Sequence, residues 1–138
     1  MSSIGSKGSF RNTRIDMKNI LVILMLIISS DTICQETVDA TIYHAVVGQT
    51  NSDPSHTASM FKLDLTNPYK HRIIAVSRDL LKKFPIHSKV RIFGAGRYDG
   101  VWIVEDKMNK RWSKRIDFLV NTNVRGGKWK GVKITKIN

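Results

Sequence analysis

The chain has 138 residues, and its 23 lysines and arginines outnumber its 11 aspartates and glutamates, which gives a formal net charge of +12. This length predicts a single domain, and the lone cysteine, Cys34, excludes a disulfide within the chain. A strongly basic surface attracts nucleic acid, acidic lipid headgroups and anionic cell-wall polymers alike, so charge alone does not select a partner.

The N-terminal part has the pattern of a secretory signal peptide. Lys18 precedes the uncharged apolar run ILVILMLII at residues 20–28, and small polar residues follow. This run is shorter than the ~20 residues that a membrane-spanning helix needs, and a buried core helix is the alternative. We therefore predict a secreted or periplasmic protein. Residues 1–34 would be an N-terminal extension and signal peptide, with translation starting at Met1 or Met17, and residues 35–138 the domain.

Cys34 lies close to the predicted cleavage site. Cleavage after Ser30 and cleavage after Cys34 both fit the sequence. Cys34 is also a candidate for lipid attachment, which would anchor the protein to a membrane, although residues 31–33 (DTI) match a lipoprotein signal poorly. Contact with a membrane is predicted only through the signal segment or this anchor.

Short runs of strand formers, separated by turn residues, follow one another through the rest of the chain. The predicted strands are 41–47, 72–76, 89–93, 101–104, 116–120 and 131–137. Ser77 is the predicted N-cap of a short helix over residues 78–84, which Pro85 ends. Six short, closely spaced strands favour a small β-barrel or sandwich over an α/β layer fold.

Two aspartates, Asp106 and Asp117, are the candidate active-site residues. Asp106 follows the predicted strand 101–104, and Asp117 lies eleven residues later inside the next strand, between Ile116 and Phe118. A carboxylate among apolar residues needs a partner or a function, since an unpaired buried charge is costly. Partial burial would raise the pKa of Asp117 towards the range of a general acid. A structural role, in pairing with Arg115 or capping loop amides, is the alternative.

We predict no metal site and no cofactor, because neither the histidines nor the glycines have the required spacing. The histidines are scattered without the spacing of metal ligands, and no nucleotide-binding glycine loop is present. The tryptophans suit either a core or a platform for stacking sugars. We predict that Trp102 is partly core and that Trp112, which has basic neighbours, lies exposed near the rim of the cleft.

The chain from residue 41 to residue 137 resembles the three-aspartate ("3D") domain family. These double-psi β-barrels are related to membrane-bound lytic transglycosylase A and to rare lipoprotein A. The matching segments are TIY at 41–43, TAS at 57–59, LD at 63–64, AVSRDLL at 75–81, VED at 104–106, RID at 115–117 and the final strand. The most specific of them is the aspartate pair, whose spacing is that of the transglycosylase motif.

The resemblance implies a small six-stranded double-psi β-barrel with one or two short helices. It also implies that Asp117 is the general acid and base that cleaves the bond between muramoyl and glucosaminyl units of peptidoglycan. Asp106 would stabilise positive charge on the sugar, and Thr57 would contact the substrate in the groove. Tyr43 and Trp112 are further substrate-binding candidates.

The chain also departs from the family pattern. Lys107 and Met108 stand where the family has glycines, Met60 replaces another glycine, and the first of the three aspartates falls near Ser77. A non-catalytic module that binds peptidoglycan or another anionic envelope glycan is therefore the second hypothesis. Nucleic-acid binding through the basic surface is the third, and it conflicts with the predicted export.

Overall fold

The computed structural model describes residues 33–49 and 53–138. Residues 1–32 of the predicted N-terminal extension and signal peptide (1–34) lie outside the described residues, so the predicted export and the predicted division after residue 34 stay predictions. The described residues belong to one unit, Ile33–Asn138. None of the helices among them has the length and apolar character needed to cross a membrane.

Six strands make up the fold, and each contains most of one predicted apolar run. They are β1 (Gln35–His44), β2 (Ile73–Val76), β3 (Lys89–Phe93), β4 (Gly100–Lys107), β5 (Arg115–Val120) and β6 (Lys128–Lys136). The largest difference from the prediction is in β1, which begins six residues before the predicted strand 41–47 and ends three residues before its end. The difference that matters for the site is in β4, which continues beyond residue 104 and includes Glu105 and Asp106. Asp106 therefore lies within a strand and does not follow one.

The strands close into a barrel in the order β1-β5-β2-β4-β3-β6. The β1/β5 and β2/β4 pairs are parallel, and the other four pairs are antiparallel. Closure gives each of the six strands a neighbour on both sides, which reduces the unpaired edge that a strand otherwise exposes to another chain. The predicted mainly β, six-stranded barrel is confirmed, and its mixed pairing is compatible with a double-psi barrel.

Alternate residues of the strands fill the barrel interior. Ile74 and Val76 of β2 point inwards and pack around an aromatic centre. The Trp102 ring lies 4.8 Å from the Phe118 ring, on which Tyr98 stacks at 5.2 Å. Trp102 is fully buried, and its Nε1 donates a hydrogen bond to the Tyr98 carbonyl at 2.7 Å. It is therefore entirely core, where the sequence predicted only a partial contribution.

A second apolar cluster covers the outer face of β1, β5 and β2. Its buried members are Tyr43, Ala45, Leu63, Ile73, Ala75, Met108 and Leu119. Leu63 comes from the connection between β1 and β2, so this connection packs against the outside of the barrel. All four residues of β2 are buried, because β2 contributes one face to the interior and the other to this outer cluster.

The helix predicted over residues 78–84 is wrong. A 3-10 turn covers only Arg78–Leu80, and the hydrogen bonds of Leu80 and Leu81 reach back three residues, to Ser77 and Arg78. The Ser77 side chain does not cap this turn; its hydroxyl accepts a hydrogen bond from the Arg115 amide at 3.1 Å. Ser77 is therefore used to join β2 to β5. The other helical segments among the described residues are the 3-10 turns Pro68–His71 and Gly96–Tyr98.

Candidate active site

Four residues form a row across neighbouring strands on the outer face, which we call the carboxylate row: Thr41, Asp117, Ala75 and Asp106. Thr41 pairs with Asp117, Asp117 with Ala75, and Ala75 with Asp106. The two aspartates thus flank Ala75, and strand spacing sets their Cα atoms ~10 Å apart. The methyl group of Ala75 is small, so the space between the two carboxyl groups stays open.

A β-bulge in β4 turns Asp106 towards this row. Ile74 pairs with Val104, but the next residue, Ala75, pairs with Asp106, so Glu105 is the extra residue. Side chains alternate between the faces of a strand. Since Val104 points into the core, a regular strand would also point Asp106 inwards. The extra residue reverses that assignment, which is a known effect of bulges near functional sites.

Asp106 is held by three hydrogen-bond donors. Its Oδ1 accepts bonds from the amides of Ala58 at 3.1 Å and Lys107 at 3.0 Å, and its Oδ2 accepts one from the Tyr43 hydroxyl at 3.2 Å. Burial nevertheless raises the pKa of Asp106 above its ordinary value, because desolvation of the carboxylate outweighs these bonds. Burial and the neighbouring Asp106 also raise the pKa of Tyr43 well above its ordinary value.

Asp117 is half-buried and has fewer partners. Among the described residues, its hydrogen-bond donor is the Thr41 hydroxyl, which bonds Oδ1. Burial raises the pKa of Asp117 above its ordinary value and the nearby Asp106 adds to this effect, while the Thr41 bond and the charge of Arg115 oppose it. Asp117 is therefore a partly desolvated carboxyl that is not saturated by backbone amides, unlike a purely structural cap.

Both carboxyl groups line one cavity of about 510 Å³. Tyr43 and Trp112, predicted as substrate contacts, line it as well. Trp112 is half-buried rather than fully exposed, and the guanidinium groups of Arg111 and Arg115 lie 4.8 Å and 4.1 Å from the centre of its ring. The structure thus brings four of the five candidate residues to one cavity, although their roles stay predictions.

Thr57, the fifth candidate, is buried behind the cavity lining. Only 4% of its surface is exposed, and its hydroxyl bonds the Ser59 hydroxyl at 2.8 Å and the Phe61 amide at 3.1 Å. Its neighbour Ala58 lines the cavity in its place. Thr57 shapes the turn that presents the Ala58 amide to Asp106, and its direct contact with a substrate stays a prediction.

A buried glutamate supports the same turn from the bulge. Glu105 is 6% exposed; its Oε2 accepts a hydrogen bond from the Ser59 hydroxyl, and its Oε1 lies 3.0 Å from His87 Nδ1. The Glu105 carbonyl also accepts the Ser59 amide at 3.1 Å. The bulge therefore has two effects: Asp106 faces the cavity and Glu105 holds the turn over it.

Sequence reasoning missed several residues of the cavity. Thr41 does not line the cavity but bonds Asp117; strand alternation places it on the same face as Tyr43, a signal that was available in the sequence. The contributions of Arg78, Gln49 and His56 to the lining depend on loop positions that carry no local signal. Within residues 33–49 and 53–138, no group of three or more His, Cys, Asp or Glu is placed to hold a metal ion.

Comparisons with protein-family models, curated proteins and solved structures find no match for this chain.

Proposed function

We propose that this chain is a three-aspartate-type barrel that cleaves peptidoglycan in the manner of a lytic transglycosylase. The observation that carries the proposal is the presence of two carboxyl groups with raised pKa in one cavity, one of them with a single hydrogen-bond donor among the described residues. A carboxyl whose pKa is raised stays protonated at higher pH, where it can act as a general acid. The closed barrel and its two parallel strand pairs are compatible with the family.

In this proposal Asp117 donates its proton to the oxygen of the glycosidic bond as that bond breaks. Asp106, held in position by the Ala58 and Lys107 amides and the Tyr43 hydroxyl, stabilises the positive charge that develops on the sugar. The Asp117 carboxylate then takes the proton of the muramoyl 6-hydroxyl, whose oxygen closes a 1,6-anhydro ring. No water is consumed, and Asp117 ends in its starting protonation state.

The test is digestion of purified peptidoglycan sacculi by the full chain, with products identified by mass spectrometry. We expect 1,6-anhydromuropeptides from the wild-type protein and none from Asp117→Asn. Asp39→Asn is the matched control, since Asp39 also lies in a strand but does not line the cavity. Release by Asp117→Asn at the wild-type rate would contradict the proposed role, and products with ordinary reducing ends would indicate attack by water.

A glycan-binding module without catalysis is the second candidate, and the bonding of Asp106 favours it. The three bonds to Asp106 tie β4 to the 57–59 turn and to β1. This structural role alone would explain why a carboxylate lies at this position. Met108, which stands where the family has a glycine, packs in the outer apolar cluster. Co-sedimentation of the wild-type protein with sacculi, without released products, would establish binding alone.

A further inference from the structure

The cavity differs between its two ends. Arg78 follows the C-terminal end of β2 and Lys107 ends β4, and these strands run in the same direction. Gly48 and Gln49 follow the C-terminal end of β1, which runs opposite to β2, because β1 is parallel to β5 and β5 is antiparallel to β2. All four residues line the cavity. The carboxylate row lies between these ends.

We name the group Arg78, Lys107 and Arg111 the cationic end, since all three line the cavity. The structure shows four ion pairs among the described residues, and none involves these three side chains. Arg78 Nε donates a hydrogen bond to the Met108 carbonyl at 3.2 Å. This bond orients the guanidinium, and its Nη atoms have no hydrogen-bond partner among the described residues. The charge of Lys107 acts on the carboxyl group of the adjacent Asp106, but no carboxylate of the described residues forms an ion pair at this end.

An aromatic ring lies at the same end. Trp112 lines the cavity, and the guanidinium groups of Arg111 and Arg115 both contact its ring. Such contacts limit the rotation of the indole. Ligand sites commonly combine an apolar or aromatic wall with a few charged groups that orient the ligand. The combination here suits a ring-shaped ligand that carries a negative charge.

We propose that the cationic end is a subsite for a carboxylate carried by a sugar ring. An acidic saccharide would lie along the cavity with its carboxylate at Arg78 and Lys107 and its glycosidic bond at the carboxylate row. This inference rests on the proposed function and deepens it, because it states which glycans the site selects. Arginine matches a carboxylate with paired hydrogen bonds. A singly charged group is also repelled less by Asp106 and Asp117 than a phosphate would be.

Two kinds of sugar carry this chemistry: an N-acetylmuramoyl unit whose lactyl carboxylate is free of a stem peptide, and a hexuronic acid. The test is calorimetric titration of the full-length Asp117→Asn protein, which should leave the ligand intact. The ligands are a tetrasaccharide of alternating N-acetylglucosamine and N-acetylmuramic acid, its carboxamide analogue, the N-acetylglucosamine tetramer and a hexuronic acid tetramer.

We expect the muramoyl acid to bind at least ~10-fold more tightly than its carboxamide and than the neutral tetramer, since hydrogen bonds between charged groups exceed neutral ones by about this amount. Replacing both Arg78 and Lys107 by Gln should remove most of this preference. Arg91→Gln is the matched control, because Arg91 is an exposed arginine of β3 outside the cavity. If the double variant does not fold, Lys107→Gln alone and Arg78→Lys alone should each reduce the preference, since lysine keeps the charge of Arg78 but not its paired hydrogen bonds.

The outcomes separate this inference from the proposed function. Equal binding of the acid and its carboxamide, or no binding of any ligand, overturns the subsite, while the sacculus digestion decides catalysis independently. Tighter binding of the hexuronic acid tetramer than of the muramoyl acid supports the carboxylate subsite and removes peptidoglycan as the favoured ligand.

Discussion

Replacing Asp106 by Ala tests whether this carboxylate organises the site. The change removes the acceptor of three hydrogen bonds, from the amides of Ala58 and Lys107 and from the hydroxyl of the buried Tyr43. An unsatisfied buried polar group costs ~1–3 kcal/mol, and this applies to the Tyr43 hydroxyl and to the part-buried Ala58 amide. The exposed Lys107 amide can bond water instead. Relief of the carboxylate desolvation offsets part of the cost, so we expect a net destabilisation of about 2–4 kcal/mol.

The assay is a double-mutant cycle measured by urea unfolding at neutral pH. Tyr43→Phe alone should cost ~1.5–3 kcal/mol, because it removes a hydrogen bond to a charged acceptor. In the Asp106→Ala background it should cost little or even stabilise, since the hydroxyl no longer has a partner. We expect a coupling energy of at least ~1 kcal/mol.

Asp39→Ala, whose carboxylate makes no side-chain hydrogen bond with the described residues, should change stability by less than ~0.5 kcal/mol. Costs that add within ~0.5 kcal/mol would show that Tyr43 and Asp106 do not interact and would refute the reasoning.

Three further predictions follow from individual contacts. The folded pKa of Asp117 is raised above its ordinary value of 3.8, so the folded state binds more protons and the wild-type protein loses stability as pH rises from ~3.8 through that folded pKa. Asp117→Asn should therefore be nearly neutral at pH 3 and stabilising at pH 7 by urea unfolding, and a gain that shrinks as pH rises would contradict this. Thr41→Val removes a bond that lowers the pKa of Asp117, so carboxyl ¹³C NMR should show that pKa raised further; an unchanged or lower value would exclude the bond. Trp102→Ala should destabilise the barrel by ~3–5 kcal/mol, as large-to-small changes in buried cores do, and a loss below ~1 kcal/mol in thermal or urea unfolding would place Trp102 outside the core.

The sequence located most of the strands well because they combine strand formers with turn residues at their ends. The exception is β1, where the predicted strand 41–47 overlaps the observed one only over residues 41–44. The prediction for β3 matches the structure residue for residue, and that for β5 differs only by Arg115. The helix predicted over residues 78–84 does not form, and the reason lies in a distant part of the chain. Ser77, a good N-cap by type, is used by the Arg115 amide of a distant strand, so the helix loses the cap on which the prediction relied.

The sequence also predicted the candidate site only in part. The apolar neighbours of Asp117 indicated burial, and the structure places it half-buried in β5, at the cavity. The geometry that joins it to Asp106 is non-local. It requires both aspartates to pair with Ala75 on opposite sides of β2, and it requires the extra residue Glu105 in β4.

The sequence by itself determined the approximate positions of the strands and the mainly β class, since hydrophobic alternation is a local property. It also identified two carboxylates that need an explanation, since a charge among apolar residues is costly to bury. The tertiary structure alone decided strand order, parallel pairing and the bulge. Barrel closure selects one register out of many, and a shift of one residue moves every side chain to the opposite face. That register brings Asp106, Asp117 and the cationic end to one cavity.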